Sequence, residues 1–270
     1  MSEASAVERS ERPVTKERLV EDFRALGVEA GDTLLVHSSL RALGWVPGGA
    51  QTVVDALQEA VTAAGTIVMP THTSHLCSPE AWSNPPIPEA WLDEVRASMP
   101  AFDPVKTPTR GMGAVVECFR RYPDVVRSDH PQYSFAAWGA DRDAIVEGHA
   151  LDGGLGEASP LARVYDRDGR VLMLGTDYQT CTSLHLAEDR ADYAKAETTE
   201  EGPVRADGER AWVEWIDIER STDDFPVVGG AFEAARPDAV TEGEVGAGAG
   251  KLVSQRALVE YAAAWFGEER

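Results

Sequence analysis

Apolar positions along the chain fall into a few repeating patterns. Within residues 15–26, Leu19, Phe23 and Leu26 recur at helical spacing behind Thr15, a natural N-cap, and Gly27 and Gly31 bracket the turn that follows. Residues 33–37 (TLLVH) form a short continuous apolar run, residues 51–64 return to helical spacing, and residues 66–69 (TIVM) form a second run. Such runs predict strands buried on both faces, so the order predicts a β-α-β unit in a mostly parallel sheet covered by helices. Residues 171–174 (VLML) predict a third buried strand ending at Gly175, and helix is expected to resume near Thr182. Residues 111–121 read as helix, 212–218 (WVEWIDI) alternate like a strand, and 252–266 read as an amphipathic terminal helix. Residues 77–109 are rich in proline and tryptophan, which limits regular structure there to short pieces. No internal repeat or interdomain linker is visible, so a single domain is expected over 15–270, behind a polar, mobile arm over 1–14.

Composition narrows the classes without choosing among enzymes. With 270 residues, 43% hydrophobic and 26% charged, the chain is an ordinary globular protein with room for a sizeable core. Lys and Arg number 25 against 46 Asp and Glu, a net charge of −21, which disfavours nucleic acid and suits a polycationic partner, although acidity also serves solubility. The cysteines, Cys77, Cys118 and Cys181, are odd in number and lack a CxxC pair, so reduced thiols and a cytoplasmic location are expected. The first 14 residues hold no apolar signal core, and no run reaches the roughly 18–20 apolar residues that span a bilayer, so no membrane association is expected.

Among motifs, G-x-S-x-G and H-E-x-x-H are absent, and GAGAGK at 246–251 fails as a P-loop because Val245 and Leu252 occupy required Gly and Ser/Thr positions. His72, His75 and Cys77 lack an evident fourth ligand, so no metal is expected. The segment 36–49 (VHSSLRALGWVPGG) runs a buried strand directly into His37, Ser38 and Ser39. Hydroxyls and free N–H groups beyond the carboxyl end of a strand can cradle a phosphate, and two serines there can equally cap a turn. The segment 175–189 (GTDYQTCTSLHLAED) repeats the strand-end pattern, with Thr182 as expected N-cap and His185 at the third helical position, where the helix dipole favours a neutral, proton-accepting ring. Glu188, three residues on, can orient that ring or hold the imidazolium; the same spacing also describes an ordinary surface pair. In 128–139 (SDHPQYSFAAWG), His130 and Ser134 flank a proline, a setting typical of turn formers.

In their order and spacing, VHSSLRALGWVPGG, GTIVMPTHT, SDHPQYSFAAWG, GEASPL and TSLHLAED resemble the aminoglycoside 3-N-acetyltransferase family of antibiotic acetyltransferases, over nearly the whole chain. The resemblance implies a single-domain three-layer α/β/α sandwich, unlike the GNAT type. It also implies metal-free transfer of acetyl from acetyl-CoA to the 3-amino group of the 2-deoxystreptamine ring of an aminoglycoside, a resistance activity. It puts Ser38, Ser39, Leu40 and Arg41 on the coenzyme A path, joined by Thr71, Thr73, His130 and Ser134, with Ser159 as a further candidate. His185 and Glu188 fall on the catalytic pair, and His37 is a second catalytic candidate. Thioester polarisation is expected from a backbone N–H or hydroxyl near Ser38, Thr73 or His37, with Arg41 and Arg110 offsetting the negative field on the coenzyme. An aminoglycoside carries several ammonium groups, so carboxylates must hold it; the candidates are Asp152, Glu157, Asp177, Asp189 and Glu214, with Tyr178 and Trp82 available to stack on sugar rings. Another small amine as acceptor, or a non-catalytic acyl-CoA-binding module, are the alternatives; a monomer or homodimer is expected.

Overall fold

The computed structural model describes residues 3–270. Helices α1 (Glu3–Arg9) and α2 (Lys16–Ala25) precede β1 (Thr33–Ser38), α3 (Ala50–Val61) and β2 (Thr66–Pro70). After α4 (Leu92–Ser98) in the proline-rich excursion come α5 (Ala114–Phe119), β3 (Val126–Arg127), β4 (Phe135–Gly139), α6 (Arg142–Val146), α7 (Pro160–Asp166) and β5 (Arg170–Leu174). The chain closes with α8 (Ser183–Arg190), β6 (Glu197–Ala206), β7 (Glu209–Ile218), α9 (Phe225–Ala235), β8 (Val240–Val245), β9 (Gly248–Ser254) and α10 (Gln255–Glu269). Thr15 caps α2 as expected, its hydroxyl accepting from Arg18 N at 3.3 Å.

The main sheet has the order β3-β4-β2-β1-β5-β9-β8, and β6 pairs with β7 in a separate two-stranded ribbon. β1 is parallel to both β2 and β5, with Leu35 opposite Val68 and Val171. The outer pairings β2–β4, β3–β4, β5–β9 and β8–β9 are antiparallel. The α/β expectation holds, while the parallel arrangement is confined to the centre and the sheet is mixed. The turn between Val245 and Gly248 is too short for a parallel crossover, so β8 and β9 must run antiparallel.

The reading of 252–266 as helix is corrected at its start. Leu252 and Val253 lie in β9 opposite Leu172 and Val171, and α10 begins at Gln255, where Ser254 Oγ accepts from Ala257 N at 3.3 Å. A short apolar run looks alike in a buried strand and a buried helix. For the same reason the apolar stretch after Ser134 did not declare itself as β4.

Alternate residues of the central strands point to opposite faces. Leu34, Val36, Ile67 and Met69 pack with α2, α3 and α5 in one core; Leu35, Val68, Val171 and Met173 pack with α6–α10 in the other. These are the two outer layers of the sandwich. The excursion is anchored by a third cluster, Leu76, Met99 and Phe102 with Trp212 of the ribbon, and by Arg127, whose guanidinium donates to Thr107 O and Thr71 O at 2.6 Å each. In the segment read as an arm, Ser10 Oγ accepts from Trp45 N at 2.8 Å, and Val14 is fully buried. Among the described residues no helix is long and apolar enough to cross a membrane.

Candidate functional site

The carboxyl ends of β1, β2 and β5 open onto one cleft of about 150 Å³, lined by His37, Ser38, His72, Met112, Thr176, Thr180 and Thr182 among others. Gly175 carries β5 into this cleft with φ +63°, and a Cβ there would stand 2.1 Å from that of Ala42. Only glycine lets the two strand-end loops pass so closely. Four buried polar atoms in the lining have no partner among the described residues: His37 Nε2, Ser38 Oγ, His72 Nε2 and Thr176 Oγ1. Buried polar groups are normally hydrogen-bonded, so four orphans around one small cavity mark a place built for a polar guest. Burial pulls the His37 ring down to about 4 and the His72 ring to about 3, the latter helped by charge on His185 and His37.

His185 takes the third position of α8 and its Nδ1 lies 2.5 Å from Glu188 Oε2. The carboxylate is fully buried, receives Arg270 Nη1 at 2.6 Å and Ser221 N at 3.3 Å, and lies 3.9 Å from Arg220 Nη1. Burial alone would raise its pKa, but the hydrogen bond and charge of His185, with the Arg270 and Ser221 bonds, hold it below the ordinary carboxylate value. Glu188 is therefore an anion locked in place, and it occupies one ring nitrogen while Nε2 remains for a substrate proton. Thr182 stands at the N-cap position, but its side chain makes no capping bond. The ring is held by Glu188 and by packing on Phe225, 5.0 Å between centroids.

Arg220 organises the surroundings of this pair. It donates to His185 O at 3.1 Å, to Asp189 Oδ2 at 2.8 Å and to Asp217 Oδ1 at 2.8 Å. Asp217 is 3% exposed and its Oδ2 is buried without a partner. Neither Asp217 nor His72 stood among the expected site residues. A signal for Asp217 existed: the alternation of WVEWIDI puts it on the same strand face as the buried Trp215. His72 stands two residues past the end of β2, near the kind of strand end that drew attention to His37.

The remaining expected residues are dispersed. Ser39 N donates to Leu174 O at 2.8 Å, Leu40 packs against the core, and Arg41 is exposed. Thr71, Thr73, His130 and Ser134 are fully buried with partners inside the protein. Ser134 Oγ donates to Thr71 O at 2.9 Å, Thr73 Oγ1 donates to Pro131 O, and His130 Nδ1 accepts from Gln132 N at 3.1 Å and Tyr133 N at 3.0 Å. They brace the seam between the β2 and β4 loops. Ser159 caps α7, accepting from Leu161 N at 3.2 Å.

Among the carboxylates, Asp189 lies beside the base through Arg220, while Asp152 accepts from Ile216 N, Glu157 pairs with Arg190, Asp177 caps the turn at Tyr178–Thr180, and Glu214 is exposed on the ribbon. Tyr178, expected to stack on a sugar, is 4% exposed and its side chain fills the space over Gly229, where a Cβ would come within 2.1 Å of it. Trp82 is half-buried against the excursion's own cluster. Cys181 is fully buried, and burial pushes its thiol up to about 12.

The sequence model of the family described as aminoglycoside 3-N-acetyltransferase matches residues 35–267. The SPbeta prophage-derived aminoglycoside N(3')-acetyltransferase-like protein YokD of Bacillus subtilis (strain 168) is 47% identical over 261 residues, covering 96% of this chain and 95% of its own. The crystal structure of YokD superposes with a TM-score of 0.96 at 44% identity over 98% of each chain. AAC-VIa bound to sisomicin gives a TM-score of 0.86 at 31% identity, over 96% of this chain and 99% of that one. AAC-IIIb, as a binary complex with CoASH, gives 0.85 at 28% identity, over 95% and 97%.

Proposed function

The chain belongs to the aminoglycoside 3-N-acetyltransferase family, and on that premise we propose that it transfers acetyl from acetyl-CoA to the 3-amino group of a 2-deoxystreptamine aminoglycoside. The observation that carries the reading is the locked His185–Glu188 pair close to a cleft whose polar lining lacks partners. Relatives bound to CoASH and to sisomicin support both substrates.

An ammonium group cannot attack a thioester, so a base must first remove its proton. His185 Nε2 takes that proton, and Glu188 on Nδ1 compensates the imidazolium. That first proton passes on to solvent; as the amine nitrogen bonds to the carbonyl carbon its second proton goes to Nε2, the C–S bond breaks, and the leaving thiolate takes that proton from His185, so that ammonium and thioester give amide, thiol and one released proton. Transfer is direct: a nucleophilic thiol must be accessible and easily ionised, and Cys181 is neither. Ser38, Ser39 and Arg41 hold the coenzyme's phosphates at the end of β1, and the loops braced by Thr71, Thr73, His130 and Ser134 shape its path. With the Thr73 hydroxyl bonded to Pro131, polarisation of the thioester falls to the groups that face the cleft. Asp189 is the acceptor carboxylate beside the base, and the outer carboxylates within the net charge of −21 concentrate a polycation at the surface.

The second reading keeps the coenzyme and takes another small amine as acceptor. Thiol release from acetyl-CoA, followed with a panel of aminoglycosides and simple polyamines, separates the readings. Turnover on aminoglycosides, with the product acetylated at the 3-amino nitrogen by NMR, is expected. Turnover on polyamines alone would select the second reading, and tight coenzyme binding without turnover on any amine would leave a binding module.

A further inference from the structure

We propose that His72 is the oxyanion donor of this site: its ring, protonated on Nε2, donates a hydrogen bond to the carbonyl oxygen of the bound acetyl thioester. The inference rests on acetyl-CoA being the acetyl donor and assigns a role to a residue that the sequence motifs leave without one.

Acyl transfer places negative charge on the carbonyl oxygen as the amine adds, and a donor fixed beforehand near that oxygen lowers the barrier most. Four groups in the cleft have an unused polar atom: His37, Ser38, His72 and Thr176. The donor must also lie near the base, because one carbon bonds both the oxygen and the incoming nitrogen. Of the two cleft histidines with a free nitrogen, His72 is the one whose lowered pKa has the charge of His185 among its causes, which puts it within electrostatic range of the base.

Its ring is also fixed. Tyr133 and Phe135 meet it edge-on, with centroids 5.6 Å and 5.5 Å away and interplanar angles of 79° and 81°. The backbone is tied as well, since His72 O accepts from Arg110 N at 2.9 Å. Burial keeps the imidazole neutral at working pH. A neutral imidazole can polarise a carbonyl through its N–H without giving up the proton. In the step itself the amine nitrogen adds, the carbonyl π pair moves onto oxygen and the hydrogen bond from His72 strengthens. The pair then returns as the C–S bond breaks, and His72 ends unchanged.

The test reads the carbonyl directly. Acetyl-CoA labelled with ¹³C at the carbonyl is bound to the wild-type protein, and its stretching band is recorded by infrared difference spectroscopy. A band lowered in frequency in the wild type, restored towards the free value in His72→Phe and intermediate in His72→Gln, is expected. Acetyl-CoA affinity should stay within about threefold. In turnover with the amine accepted by the wild type, His72→Phe should lose about a hundredfold to a thousandfold in kcat with little change in KM, and His72→Gln should recover at least about tenfold of it. A band equally lowered in wild type and His72→Phe overturns the role of His72 and leaves the acetyltransferase reading standing. Failure of the wild type to bind acetyl-CoA overturns both. Independently of any variant, the Nε2 proton resonance of His72 should move downfield when acetyl-CoA is added, and an unmoved resonance contradicts the assignment.

Discussion

The histidines in and around the cleft divide into two groups that differ in their hydrogen bonds. His130 and His149 lie 4.8 Å apart between ring centroids, and every ring nitrogen is engaged. His130 Nε2 meets Leu151 O at 3.3 Å, and His149 meets Ser128 Oγ at 2.9 Å and Gly154 O at 2.6 Å. His37 and His72 each keep an unpartnered Nε2 on the cleft, and His185 is fastened through Nδ1 alone. Completed hydrogen bonds turn a histidine into architecture; an incomplete set leaves a nitrogen for chemistry.

The comparison is broken most sharply by removing one ring from each group. His185→Ala should lower turnover by about a hundredfold or more, the usual size of a general-base effect, while leaving acetyl-CoA affinity nearly unchanged. An unaltered rate removes His185 from the role. His130→Ala should act on the other axis. It leaves the N–H groups of Gln132 and Tyr133 unsatisfied and opens a cavity, so equilibrium unfolding should show a loss of about 3 kcal/mol. Acetyl-CoA affinity of the folded variant should change by less than about threefold.

Acid should weaken the fold through both groups together. His37 and His149 are each lowered by burial to about 4, whereas in the unfolded chain their rings return to the ordinary 6.5. The unfolded state therefore takes up protons that the folded state refuses. The stabilisation is complete above pH 6.5 and is lost as pH falls towards 4. Between pH 7.5 and 5 the loss should be about 2 kcal/mol per ring, read from urea midpoints. A midpoint flat across that window contradicts the burial argument. The smallest effect belongs to Cys181→Ala: thiol release should stay within about twofold, and mass spectrometry of an acetyl-CoA quench should find no acetylated Cys181.

Much of the site was legible before the fold. The strand ends at His37 and Gly175 follow from apolar runs, and the spacing of His185 and Glu188 on one helix puts their side chains in reach of each other. The carboxylates were less legible, since in an acidic chain a charged residue carries little positional information. Asp217 and Glu214 are three residues apart on the same strand, yet one is buried beside Arg220 and the other is exposed. His130 illustrates what a motif leaves out: nothing in its local sequence announces the two backbone N–H groups, of Gln132 and Tyr133, that its Nδ1 accepts.

What the residues alone determined was local: buried strands from continuous apolar runs, helices from periodic ones, and a base paired with a carboxylate by helical spacing. What only the tertiary structure decided was which polar atoms remain without partners, because their partners come from segments far apart in the chain. Arg270 at the last residue bonds Glu188, and Arg127 bonds Thr71 across 56 positions. Such closures depend on how the layers pack, and no local pattern encodes them.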